Sequence, residues 1–219
     1  MPYFLSCQYL QKVSYLQANL KINKEIKQLL NMKKVILVHR WEGKPDSDWY
    51  TSISQSLKES GYIVEIPEMP DTAEPQIEPW VDKIKELVPR PDMELHFIGH
   101  SIGCQAILRY LESLPGSVNV GKIVFVAPWF NLQNLDVESQ NIAKPWIENL
   151  IDLESVKKHI SNITVIFSDN DPWVSLSDRD IFRNLLDAKV IVEHEKGHFT
   201  SEDGVINFPL VVNEFVEET

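Results

Sequence analysis

The stretch Gly99-His100-Ser101-Ile102-Gly103 constrains this chain more than any other. The apolar run Leu95-His96-Phe97-Ile98 before it reads as a short buried strand. Cys104 to Leu111 after it reads as a helix, with apolar residues at 104, 107, 108 and 111. A serine held between a strand and a helix sits on a sharp turn that pushes Oγ outward, the arrangement of a G-x-S-x-G nucleophile elbow. Side chains two residues either side of it would collide with each other or with a neighbouring strand, and glycine at 99 and 103 removes them. The same turn puts the backbone N–H of Ile102 at a helix start, where developing negative charge is stabilised. A bare G-x-S-x-G is common by chance, so the surrounding chain has to supply the rest.

From Val35 onward the chain alternates strand and helix patterns. Strands are expected at Val35–His39, Tyr62–Ile66, Leu95–Ile98, Lys122–Val126, Ile163–Phe167 and Lys189–Glu193. Helices are expected at Trp49–Ser60, Pro79–Leu87, after the elbow, Leu153–His159, Asp178–Leu186 and Phe208–Val216. Residues 68–78 read as a Pro-rich acidic loop, and residues 129–147 as an irregular stretch. Such alternation implies right-handed crossovers and an α/β fold: a doubly wound, mainly parallel sheet of about six strands. Ligands of such sheets bind beyond the C-terminal strand ends.

A serine hydroxyl at neutral pH needs a base, and the base needs an orienting acid. Both are expected on loops after later strands, in the order serine, acid, histidine. The fifth strand runs into Ser168-Asp169-Asn170-Asp171-Pro172-Trp173, and the sixth into His194-Glu195-Lys196-Gly197-His198-Phe199. Asp171 is preferred over Asp169 because the turn begun by Ser168 aims the fourth residue back over the sheet. His198 is preferred over His194, which still belongs to the strand end, whereas Gly197 frees the loop to present its successor. Ser101, Asp171 and His198 are therefore the expected catalytic residues. The oxyanion donors are expected to be the backbone N–H groups of Ile102 and of Trp41, with Arg40 as the alternative to Trp41. His39, the last residue of the first strand, and Trp129, Trp146 and Trp173, on loops at the strand C-termini, are expected with Trp41 around a small aromatic substrate pocket suited to short acyl groups.

The net charge of −11 argues against nucleic acid and anionic membrane surfaces as partners. The six histidines lack metal-ligand spacing, so no metal and no cofactor are expected. Two distant cysteines, Cys7 and Cys104, make no disulfide framework and point to a reducing cytoplasm. No apolar stretch reaches the length of a membrane span. Residues 1–31 differ from the rest, with four lysines and one acid. Apolar residues at 5, 9, 13, 16 and 20 fit one helix face. The segment reads as a helical extension, a targeting segment, or sequence upstream of a functional start at Met32. The last is preferred, because the fold needs nothing before Val35.

These residues resemble the small alpha/beta hydrolases of the retinoblastoma-binding serine hydrolase type and their bacterial YdeN-like relatives. The likeness runs from Val35 to the C-terminal helix. It is carried by Asp48-Trp49, Gly61-Tyr62, Pro67-Glu68-Met69-Pro70, Glu78-Pro79-Trp80, the elbow, Pro145-Trp146, Asp171-Pro172 and Gly197-His198-Phe199. It implies an alpha/beta-hydrolase fold with a reduced cap, and hydrolysis of a small-molecule ester, or of an amide, by a monomer or small homo-oligomer. Family members often place glycine beside the histidine after the first strand, where this chain has Arg40 and Trp41. An interaction module on a hydrolase scaffold is the alternative. The pocket-binding pattern Leu-x-Cys-x-Glu is missing, since Leu5-Ser6-Cys7-Gln8-Tyr9 ends in tyrosine.

Overall fold

The computed structural model describes residues 12, 15, 19, 21, 33–116 and 118–216. The chain divides into two compact units, Met1–Met32 and Lys33–Thr219. In the first, residues 12, 15, 19 and 21 are helical. The expected apolar face at 5, 9, 13, 16 and 20, and the start at Met32, lie outside the described residues.

The second unit is built on a six-stranded parallel sheet in the order β2-β1-β3-β4-β5-β6. Its strands are β1 (Lys34–Val38), β2 (Ile63–Glu65), β3 (Leu95–His100), β4 (Val120–Val126), β5 (Ile160–Ser168) and β6 (Lys189–Glu193). Its helices are α1 (Tyr50–Glu59), α2 (Ile77–Leu87), α3 (Ile102–Glu112), α4 (Val137–Glu148), α5 (Leu153–Lys157), α6 (Asp178–Leu186) and α7 (Pro209–Asn213). The expected doubly wound parallel sheet is what the chain forms. Strands β1 and β3 are buried on both faces, which is why they read as near-continuous apolar runs rather than as alternating ones.

Strand order fixes the layers. The step from β1 to β2 runs opposite to all later steps, so right-handed crossovers put α1 on one face and α2, α3, α5 and α6 on the other. Packing follows that division: α1 touches α7, while α2–α3, α3–α5 and α5–α6 pack in series. Residues 129–147 depart from expectation, because α4 occupies their second half. Asp136 caps it, its Oδ1 accepting from the Ser139 N–H at 2.8 Å. Pro145 lies inside the helix, where it forgoes the bond to the carbonyl of exposed Asn141. Among the described residues no helix is long and apolar enough to cross a membrane.

Candidate active site

Strand β3 runs directly into Ser101, whose backbone takes φ +53° and ψ −119°. That is a strained conformation for a residue with a Cβ. It is pinned from both sides: Ser101 N–H donates to the Val126 carbonyl at 2.9 Å, and Ser101 O accepts from Cys104 N–H at 3.0 Å. The crowding inferred from the motif is present. A Cβ on Gly103 would lie 2.2 Å from the Val38 carbonyl oxygen, and one on Gly99 2.9 Å from Cys104 Cα. Helix α3 starts at Ile102, so the Ile102 N–H has no helical partner.

At the ends of β5 and β6, His198 Nδ1 and Asp171 Oδ2 meet at 2.7 Å, both side chains buried. The other carboxylate oxygen of Asp171 accepts from the N–H groups of Trp173 and Val174, at 2.9 and 3.0 Å. With both oxygens accepting, the carboxylate is fixed in plane, and Nδ1 is the protonated nitrogen of the imidazole. Nε2 is then left as an acceptor. The His198 N–H donates to Asp203 Oδ2 at 2.9 Å, and the Trp173 ring stands edge-on to the imidazole at 5.0 Å. The rival pair has another fate. His194 and Asp169 bond to each other at the surface, where donation from Nδ1–H to the Asp169 carboxylate raises the His194 pKa.

Ser101, His198, Trp41 and Trp173 line one cavity of about 610 Å³. His39, Trp129 and Trp146 do not, and the pocket expected around them is corrected accordingly. His39 opens the first loop, between β1 and α1, and is fully buried, its Nδ1–H donating to the Arg40 carbonyl and its Nε2 accepting from Met69 N–H. Burial is the chief cause of its lowered pKa. Trp146 lies on the inner face of α4, where Nε1–H donates to the Pro75 carbonyl and the ring meets Trp80 edge-to-face. Trp129 is 1% exposed, inside the core. Following a strand brought these rings to the correct end of the sheet. Their large apolar area then turned them inward.

The first loop also separates the two candidate oxyanion donors. Arg40 N–H donates to the Tyr50 hydroxyl at 3.2 Å. Trp41 N–H has no partner among the described residues. The Tyr50 hydroxyl lies 2.7 Å from His100 Nδ1, and His100 Nε2 lies 2.8 Å from the His198 carbonyl oxygen. Burial, then the nearby His198, push the His100 pKa down to about 3, so the ring is neutral. One proton arrangement follows. Tyr50 O–H donates to Nδ1, and Nε2–H donates to the His198 carbonyl. Asp48 adds a second tie between the same loops, accepting from Arg40 Nε at 2.8 Å and from Ser201 N–H at 2.9 Å. The Tyr50–His100 link escaped the sequence reading. Its only signal was a polar residue inside the elbow.

A family model described as serine hydrolase matches residues 35–217. YdeN of Bacillus subtilis (strain 168) is 26% identical over 183 residues, 82% of this chain and 92% of that protein. The crystal structure of the B. subtilis ydeN gene product superposes with a TM-score of 0.77 at 23% identity, covering 85% of this chain and 100% of that one. Est1E from Butyrivibrio proteoclasticus with ferulic acid bound gives a TM-score of 0.64 at 12% identity, covering 85% and 91%. A sheet of this order, a serine on a strained turn at its centre and a family match across the second unit lead to one statement: the chain belongs to the serine hydrolase family, on an alpha/beta-hydrolase fold.

Proposed function

We propose that the protein hydrolyses small carboxylic esters through an acyl-serine formed on Ser101. The observation that carries this reading is the buried Asp171–His198 bond at 2.7 Å, on a cavity shared with Ser101. Ser101 Oγ attacks the ester carbonyl as His198 Nε2 takes its proton. Asp171 keeps Nδ1 protonated and stabilises the imidazolium that forms. The N–H groups of Ile102 and Trp41 receive the oxyanion. His198 then returns the proton to the departing alcohol, and water repeats the sequence to release the acid. Support also comes from the esterase neighbour with bound ferulic acid, which makes aryl-acid esters sensible first substrates alongside short acyl esters.

The test is labelling by a fluorophosphonate, which reacts with activated serine. The native protein should label, and Ser101→Ala should not. Equal labelling of that variant removes the assignment. A native protein that does not label points instead to an interaction module with a silent site.

A further inference from the structure

Resting on that reading, we propose that the site selects esters bearing a cationic, ammonium-type group over neutral or anionic ones. The cavity that holds Ser101 and His198 is lined by the carboxylates of Glu42, Glu74, Glu138 and Glu202, together with Asp136 and Asp203. Among the described residues Arg40 is the only guanidinium or ammonium side chain on its wall, and that charge is paired with Asp48 at 2.8 Å. Asp136 and Asp203 have structural duties, capping α4 and holding the His198 loop. The four glutamates are exposed and in no ion pair among the described residues. The described wall therefore carries six carboxylates against one guanidinium, which acts on Glu202 as well as on Asp48.

Two further observations point to a ligand at this place. Ser101 is 6% exposed, its Oγ has no hydrogen-bond partner among the described residues, and it opens onto this same cavity. The carboxylates thus line the same cavity that a substrate carbonyl must enter to reach Ser101. Besides them, the wall carries the indoles of Trp41 and Trp173, and Trp173 is 40% exposed. Aromatic faces beside carboxylates attract ammonium groups by the ring quadrupole as well as by charge. A cleft lined by one sign of charge raises the local concentration of the opposite sign and repels its own.

The experiment uses two phosphonothioates with the same phosphonyl group and leaving thiols of one shape: thiocholine, and its neutral isostere 3,3-dimethylbutanethiol. Ser101 Oγ attacks phosphorus, its proton passes to His198, the P–S bond breaks and the thiolate leaves. Second-order rate constants for modification of the full chain are divided by each reagent's rate with hydroxide, which removes intrinsic reactivity. At low ionic strength the cationic reagent should be faster by about tenfold, falling to about threefold in concentrated salt as the rim charges are screened. Replacing Glu42, Glu74, Glu138 and Glu202 together by Gln should lower the low-salt ratio similarly. These side chains are exposed, so the fold is not at stake. Equal rates for the two reagents, a faster neutral reagent, or a ratio unmoved by salt and by the fourfold variant would overturn the inference. Failure of both reagents to modify Ser101 removes the hydrolase reading itself, a distinguishable result.

Discussion

Substituting Tyr50 by Phe tests whether the buried link between the first loop and the base loop stands as described. The hydroxyl is fully buried and serves two groups, accepting from Arg40 N–H at 3.2 Å and donating to His100 Nδ1 at 2.7 Å. Phenylalanine keeps the ring and strands both partners, at about 1–3 kcal/mol for each buried group left unsatisfied. The expected loss is therefore about 2–6 kcal/mol, or about 4–24 °C in Tm for a domain of this size. Two other tyrosines calibrate it. Tyr62 donates one bond, to the Phe215 carbonyl at 3.1 Å, and that oxygen also accepts from Lys122 Nζ. Tyr62→Phe should thus cost only about 1 kcal/mol. The Tyr110 hydroxyl is buried with no partner among the described residues, and burial raises its pKa to about 12. Tyr110→Phe should then be neutral or stabilising. Calorimetric unfolding of the three variants gives the order directly. A Tyr50→Phe loss no larger than that of Tyr62→Phe, with fluorophosphonate labelling at the native rate, would refute the network.

Asp171→Asn should reverse the preferred tautomer of His198 and lower the esterase kcat by about 10³–10⁴-fold with KM little changed, measured by steady-state kinetics. Acid should destabilise the fold well before the carboxylates titrate. His100 and His96 titrate at about 3 and about 4 when folded, both chiefly through burial, against 6.5 in the unfolded chain. Their contribution is full above pH 6.5 and is lost as pH falls toward those values, because only the unfolded chain takes up the protons. Each contributes a slope of about 1.4 kcal/mol per pH unit in that window, and urea midpoints from pH 7 to 5 should show the decline. Lys33–Thr219 forms its own compact unit, so residues 32–219 expressed alone should keep the thermal midpoint and labelling of the full chain. A truncated chain that does not fold would make the first segment integral.

What the sequence by itself determined was whatever depends on short stretches of chain. The glycines at 99 and 103, a strand before them and a helix after them dictate the turn at Ser101, because the clash they relieve is between atoms a few residues apart or on the adjacent strand. Alternating strand and helix patterns dictate the parallel sheet, since crossovers have one hand. Chain order and turn chemistry were enough to favour Asp171 and His198, the pair that bonds, over Asp169 and His194, which bond to each other instead. Only the tertiary structure decided which way the large side chains turned. His39, Trp129 and Trp146 are held inward by partners distant in the chain, such as Met69 N–H and the Pro75 carbonyl, and no local pattern encodes those distances. The choice between Arg40 and Trp41 as the free N–H likewise rests on a tyrosine ten residues on, brought beside Arg40 by the packing of α1. Local sterics follow from adjacent residues. The facing of a side chain is settled by competition for buried area and hydrogen-bond partners across the whole domain.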